Sequence, residues 1–296
     1  MDSFGLAVSI VYQFGANAAF LLISAIGLIV ILGMMNIINL AHGELMMMGA
    51  YTATIAFHRG VPFPVAVLLS FVVVAVVGIV MERLIVRRFY GRELGALVVT
   101  WGISLLLAQG TLLIFGPFMP AIAIPGGSLA LGRYSFSVYW LALIVICILL
   151  ILALWWIYTK TTFGLQSRAT MQNAAMARAL GVDTDRIYML TFGLGAGLAG
   201  VSGALIAPTV SIAPFMGQQF VAPAFITVVV GGGANVLAGA LGSSALLALV
   251  KTPVGMLFGA FLGTVALLLA ALIIIRLMPN GISAYLQKLL ERRIDR

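Results

Sequence analysis

The chain alternates between long apolar runs and short segments that hold nearly all of its charge. A helix needs about 20 apolar residues to cross about 30 Å of hydrocarbon, so run length is the first measure to apply. Four runs, at 6–32, 62–81, 94–115 and 137–158, are long enough for a span, and two more follow at 187–207 and 254–275. Shorter apolar pieces at 45–57, 220–230 and 236–250 fall below a comfortable straight span. They predict broken, tilted or re-entrant helices. The expected fold class is therefore all-α, a polytopic transmembrane helical bundle of about eight to ten spans with broken or re-entrant segments. Residues 1–296 are read as one transmembrane domain.

Composition agrees. Of 296 residues 63% are hydrophobic and 8% charged, against about 25% charged in a soluble domain. The mean hydropathy is +1.19. A soluble globule of this size must clothe its surface in polar groups, which excludes that class here. The single cysteine, Cys147, excludes a disulfide framework and a thiolate metal site, and two histidines exclude most zinc sites. The net charge of +8 comes from separated clusters: Arg83, Arg87, Arg88 and Arg92; Lys160, Arg168, Arg178 and Arg186; Lys288, Arg292, Arg293 and Arg296. Such clusters between spans mark cytoplasmic loops rather than a nucleic-acid face. The loops between them hold Arg59 alone, Arg133 alone, and no charge from 208 to 219. With the N-terminus outside, about nine crossings place all three clusters inside, and the C-terminus is cytoplasmic. The first run continues past signal-peptide length, which predicts a first span rather than a leader.

Local signals sharpen the helices. Asp183 stands where an N-cap belongs before the run at 187, and Pro279, Asn280 and Gly281 form the stop after the last run. Gly193, Gly197, Gly200 and Gly203 predict one small-residue ridge, and Gly255, Gly259 and Gly263, at four-residue spacing, predict another. Such ridges let helix backbones approach closely in lipid.

No enzyme motif is present: there is no H-E-x-x-H, no G-x-S-x-G and no paired cysteine. There is also no G-x-x-x-x-G-K-[ST] loop, so any ATP and Mg would bind partner subunits, and this chain is expected to bind no metal or cofactor. The most unusual stretch is GMMNIINLAHGELMMMG at 33–49, where Asn36, Asn39, His42 and Glu44 interrupt two apolar runs. A charged group at membrane depth costs about 3 kcal/mol unless it faces protein or water. One reading makes these residues the lining of a translocation path or its gate. The other makes the stretch an ordinary turn in which Asn and His cap helix ends and Glu44 sits on a helix dipole. A counterpart lies in the second half, where Gly231, Gly232, Gly233 and Asn235 interrupt the apolar stretch, and Gly232 and Asn235 join the candidate path residues. The loop at 159–186 is long enough for its own helix. Residues 172–180 are rich in Ala, Met and Arg, and Gly181 occupies a C′ position. That helix is either a cytoplasmic docking element or a surface helix resting on headgroups through Arg168 and Arg178.

At these residues the chain resembles the permease subunits of the branched-chain amino acid ABC importers, a family that includes urea and short-chain amide permeases. GMMNIINLAHGELMMMGAY is similar to that family's signature after the first helix. TTFGLQSRATMQNAAMARALGVDTDRIYMLTFGLGAGLAGVSGAL is similar to its cytoplasmic coupling loop and the helix that follows. GGGANVLAGALGS and RLMPNGI are similar to later motifs, so the likeness covers nearly the whole chain. Residues Thr100 to Ser104 and the segment QNAAMARALG look more like the urea branch, whereas GQQFVAPAFITVVVGG lacks an acidic residue associated with that branch. The resemblance implies a multi-pass protein of the bacterial inner membrane that takes up branched-chain or hydrophobic amino acids, urea or short-chain amides. It also implies partners: a second related permease, two cytoplasmic ATP-binding subunits and a periplasmic solute-binding protein. Carried onto this sequence, it puts Gly164, Arg168, Asn173, Ala177 and Gly181 in the helix that seats in an ATPase groove. A different class, an ion-coupled secondary transporter or channel, needs intramembrane charge. Glu44 is the acid placed for that role, because Glu82, Glu93, Asp183 and Asp185 are expected in cytoplasmic loops.

Overall fold

A computed structural model describes residues 2–35, 37–131, 134–233, 235–285 and 287. Asn36, Arg133 and the tail residues Lys288, Arg292, Arg293 and Arg296 lie outside the described residues. Seven helices among the described residues are long and apolar enough to cross a membrane. They are α1 (Asp2–Met35), α3 (Phe63–Leu84), α4 (Glu93–Phe115), α5 (Val138–Lys160), α8 (Thr184–Ile206), α10 (Val236–Phe258) and α11 (Ala260–Leu277). Two shorter helices, α2 (His42–His58) and α9 (Gln218–Gly231), correspond to the short apolar pieces at 45–57 and 220–230. At 1.5 Å per residue they are about 26 and 21 Å long, short of a straight crossing. The protein is an all-α polytopic bundle. A two-stranded antiparallel hairpin, β1 (Ser128–Leu131) and β2 (Tyr134–Ser137), links α4 to α5, with Ser128 opposite Ser137 and Leu129 opposite Phe136.

The third short piece, 236–250, is not a separate element. The apolar runs predict a break around Lys251 to Pro253, but α10 continues through Pro253 to Phe258. A proline removes one backbone donor, and membrane helices accommodate that loss where neighbouring groups satisfy the freed carbonyl. The break falls instead at Gly259, whose φ of 92° only glycine adopts readily. Gly255, Gly259 and Gly263 therefore do not form one ridge. Gly255 and Gly263 face each other across the α10–α11 hairpin, where a Cβ on Gly263 would lie 3.0 Å from the Gly255 Cα.

The chain packs as two units. The first takes in Met1–Ala25, Ile124–Ile151 and Pro223–Arg296. Its core gathers Leu21, Val230, Leu247, Leu267 and Ile282, with Phe14 and Ile274 against them. The turn between α9 and α10 lies against the segment after α11: a Cβ on Gly232 would sit 2.8 Å from the Gly281 Cα.

The second unit takes in Ile26–Ala123 and Leu152–Ala222. Helix α8 is its centre, buried almost continuously from Thr191 to Ile206. The ridge that the sequence predicts on this helix explains why. A Cβ on Gly203 would lie 2.5 Å from the Met46 carbonyl carbon of α2 and overlap its oxygen. One on Gly200 would lie 2.7 Å from the Ser70 carbonyl oxygen of α3, and one on Gly193 would meet Ile79 at 2.7 Å. The Ser70 hydroxyl also donates to the Gly49 carbonyl at 3.0 Å, tying α3 to α2. Backbone contact of this kind is how helices associate where no hydrophobic force acts between them.

Candidate functional site

The break between α1 and α2 lies inside the second unit. Residues 37–39 are non-helical, and the Leu40 N–H donates to the Thr100 hydroxyl oxygen at 3.1 Å. Thr100 is seven residues into α4, about 10 Å along that helix from its start, so the break sits alongside the body of α4 rather than at its end. Asn39 shapes the turn: its Oδ1 accepts from the Ala41 N–H at 3.1 Å, and its carbonyl accepts from the His42 N–H at 3.3 Å. Glu44 occupies the first turn of α2, where the helix dipole favours a carboxylate. It accepts a hydrogen bond from Ser104 of α4. The start of α2 meets the segment that follows α8 backbone to backbone: a Cβ on Gly43 would lie 2.7 Å from the Gly217 carbonyl carbon.

Asn39, His42 and Glu44 are thus brought together, each with 1% or less of its surface exposed. Of the three, Asn39 holds the broken segment through its side-chain and backbone hydrogen bonds. Asn36 lies outside the described residues. Gly232 and Asn235 belong to the first unit. There Gly232 takes a φ of 78°, and Asn235 caps α10 by accepting from the Ala238 N–H at 3.1 Å. Thr100, Ser104 and Gly217 complete the α1–α2 break. Only the isolated hydroxyls in an apolar run marked the first two, and nothing local marked Gly217.

The 159–186 segment forms two helices, not one. Helix α6 (Thr162–Gln172) is capped by Thr161, whose hydroxyl accepts from the Gly164 N–H at 3.1 Å. Helix α7 (Ala174–Ala179) is capped by Asn173, which accepts from the Met176 N–H at 3.0 Å. Asn173 therefore breaks the helix expected over 172–180, because its side chain satisfies a new N-terminus. Gly181 follows α7 with a φ of 87°, as its C′ position predicts. Asp183 caps α8, accepting from the Arg186 N–H at 3.1 Å. Gly164 and Ala177 are buried in the chain itself; a Cβ on Gly164 would lie 2.6 Å from the Tyr158 carbonyl carbon, so glycine is what lets α6 fold back onto the end of α5. The large apolar side chains left exposed here are Leu165 (62%) and Met171 on α6, Met176 (58%) on α7 and Leu180 (78%) just after it, and Arg168 and Arg178 are exposed too.

An ionic cluster joins this segment to α8 and to the short turn after α3. Asp185 pairs with Arg87 and, at 3.6 Å, with Arg178, whose Nε also donates to the Thr184 hydroxyl at 2.7 Å. Glu82 is not a loop residue, because α3 extends to Leu84 and buries it. The Tyr90 hydroxyl donates to it, and the Tyr90 ring packs edge-on against Tyr188 at 4.9 Å. Burial first, and then that hydrogen bond to Glu82, hold the Tyr90 hydroxyl well above its ordinary pKa. Among the described residues no group of three or more metal-ligating side chains converges.

Residues 10–277 match the family described as branched-chain amino acid transport system / permease component. The chain belongs to this family. The permease is 29% identical over 227 residues to the high-affinity branched-chain amino acid transport system permease protein LivH of Escherichia coli K12, covering 70% of this chain and 73% of that one. It is 28% identical over 225 residues to the corresponding protein BraD of Pseudomonas aeruginosa, with the same shares covered. The fold of the permease also resembles a chain of PsaBC from Streptococcus pneumoniae, solved in complex with Fab, at a TM-score of 0.50, 13% identity and 93% coverage of each chain. That likeness speaks to the fold alone.

Proposed function

We propose that this chain is the membrane-spanning subunit of an ATP-driven ABC importer for small amino-acid-like solutes, branched-chain or hydrophobic amino acids first, urea or short-chain amides second. The observation that carries the reading is the set of exposed apolar side chains on α6, on α7 and just after it. Leu165, Met171, Met176 and Leu180 stand exposed on a segment that is anchored at both ends by caps. Exposed apolar side chains grouped on one loop, flanked by Arg168 and Arg178, suit a protein partner. The names of the relatives, which are amino acid transport permeases, support the solute class.

In this reading two ATP-binding subunits seat on α6 and α7 and hold all the ATP and Mg, a second related permease completes the passage, and a periplasmic protein delivers the solute. The protein sits in the bacterial inner membrane with its C-terminus cytoplasmic. Closure of the ATPases favours one state of the permease through differential affinity. The Asp185 pairs with Arg87 and Arg178 carry the displacement of α7 into α8 and the turn after α3. The α1–α2 break, with Asn36, Asn39, His42 and Glu44, and the α9–α10 turn, with Gly232 and Asn235, serve as gate elements. Gly164, Arg168, Asn173, Ala177 and Gly181 shape the docking segment.

The deciding experiment is uptake of labelled leucine and labelled urea by cells with and without this chain, partner subunits present, with ATP supplied or depleted. ATP-dependent leucine uptake that vanishes with the chain is expected. Uptake that survives ATP depletion and is abolished by Glu44→Gln would overturn the reading in favour of an ion-coupled carrier. Met176→Asp with Leu180→Asp is expected to abolish uptake while the chain still inserts; unchanged uptake removes α7 from the docking surface.

A further inference from the structure

The first unit contains a cavity of about 500 Å³ lined by residues of α1, β2, α5 and α10. Among the described residues Lys251 is the one charged residue on its lining. It lies seven residues before the end of α10 at Phe258, about 10 Å along the helix, within a candidate membrane span. A cation at such a depth is costly and normally has a carboxylate partner. Among the described residues Lys251 makes no ion pair. Its Nζ instead lies 5.0 Å from the centre of the Phe20 ring, a weak interaction that leaves its three N–H donors available.

The walls around it are built and polar. Asn17 donates from Nδ2 to the Thr252 hydroxyl at 3.1 Å, next to Lys251, and to the Gln13 carbonyl at 3.0 Å. Tyr12 donates to the Ser137 carbonyl at 3.1 Å, fixing α1 against the end of β2. The Ser137 hydroxyl, also on the lining, is buried with no hydrogen-bond partner among the described residues. Ser137 and Lys251 line the same cavity. The remaining lining includes the rings of Phe20 and Trp140.

We propose that this cavity binds an oxyanion, a carboxylate or a phosphate, carried on a small or partly apolar molecule. The Lys251 ammonium supplies the charge, the Ser137 hydroxyl supplies a further donor, and the ring faces take the apolar portion. The volume suits a small ligand. Two sources share this chemistry: the carboxylate of a solute such as an amino acid, and the phosphate of an anionic phospholipid.

The test uses the full chain in nanodiscs of phosphatidylcholine. Leucine and leucinamide, which lacks the carboxylate, are titrated against the wild type, Lys251→Met, Lys251→Arg and Ser137→Ala. In parallel, phosphatidylglycerol retention is measured by native mass spectrometry after reconstitution in an equimolar mixture with phosphatidylcholine. A charge-assisted hydrogen bond is worth at least about tenfold in affinity. Lys251→Met is expected to weaken one of the two ligands by that factor, Lys251→Arg to retain it, and Ser137→Ala to weaken it by a smaller factor without lowering the Tm. Loss of leucine, with no binding of leucinamide to the wild type, identifies the solute as the source. Loss of phosphatidylglycerol identifies the lipid. If the wild type binds neither, or if both bind equally well to Lys251→Met, the proposal is overturned. Should Lys251→Met fail to fold, unchanged binding of both ligands in Ser137→Ala, together with equal binding of leucine and leucinamide by the wild type, overturns it. None of these measurements requires ATP-driven uptake, so failure of the importer reading leaves them standing.

Discussion

Replacing Gly203 of α8 with alanine adds one methyl group at the tightest helix contact in the second unit. The new carbon would lie 2.5 Å from the Met46 carbonyl carbon and 2.9 Å from its Cα. These are backbone atoms, which cannot rotate aside as a side-chain end does. Helices α8 and α2 must part until the contact exceeds 3.0 Å. The separation also disturbs the Gly49 contact with Gly200, one turn along the same seam. Overpacking costs about 1–3 kcal/mol, and a clash with backbone belongs at the upper end. At about 2–4 °C per kcal/mol for a chain of this size, 3 kcal/mol lowers the Tm by roughly 6–12 °C. The control is Gly102→Ala in α4, where a Cβ meets nothing within 4 Å. There alanine is expected to be neutral or to raise stability by up to about 1 kcal/mol, because glycine is the poorer helix former. Thermal unfolding of the purified chain in detergent, followed by tryptophan fluorescence, measures both. A Gly203→Ala protein within 2 °C of wild type, or a Gly102→Ala protein that falls as far, would refute the account of the seam.

Three further outcomes are expected. Gly259→Ala strains the α10–α11 turn, where φ is 92° and ψ 161°, and lowers stability by about 1–3 kcal/mol; the same unfolding assay reads it, with Gly110→Ala, in open space, as the neutral comparison. Asn173→Ala removes the α7 cap and costs about 1 kcal/mol, seen as faster amide exchange in α7 while α8, capped by Asp183, stays protected. Tyr90 carries a hydroxyl pKa raised above the ordinary 10.0, so the stability it contributes is complete below that value and is lost as pH rises through its raised folded-state value. Tyr90→Phe is therefore expected to reduce the fall in Tm between pH 9 and pH 11; an unchanged slope counts against a buried, protonated Tyr90.

Run length alone revealed α1, α3, α4, α5 and α8, because in lipid a span must be apolar over its whole length, whichever face meets protein, whereas it misdivided α10 and α11. The glycine ridge of α8 was also legible, since only close backbone approach requires that spacing on one helix. Its partners were not, because Met46, Ser70 and Ile79 carry no mark of what they touch. The break expected between residues 250 and 254 was misplaced for a physical reason: a charge and a proline two residues apart resemble a loop, and only the tertiary setting shows that α10 absorbs both. Glu82 was likewise assigned to a loop, since its burial depends on Tyr90 reaching back eight residues to donate to it. Helix α6 was missed because Thr, Ser and Gly weaken its propensity, and its cap and its fold back onto α5 sustain it. The polar cluster of Asn39, His42 and Glu44 stood out at once. That its members point inward was settled by Thr100 and Ser104, more than fifty residues away in sequence.

The glycine seams of the second unit also govern how it can move. Where Gly203 lies on the Met46 carbonyl and Gly200 on the Ser70 carbonyl, no layer of side chains remains to change rotamer, and two helices in backbone contact cannot slide or roll without colliding. Helices α2, α3 and α8 thus behave as a stiff lever rather than as a cushion. A push delivered at the end of α8 near Asp185 arrives at the α1–α2 break with little of its amplitude absorbed on the way.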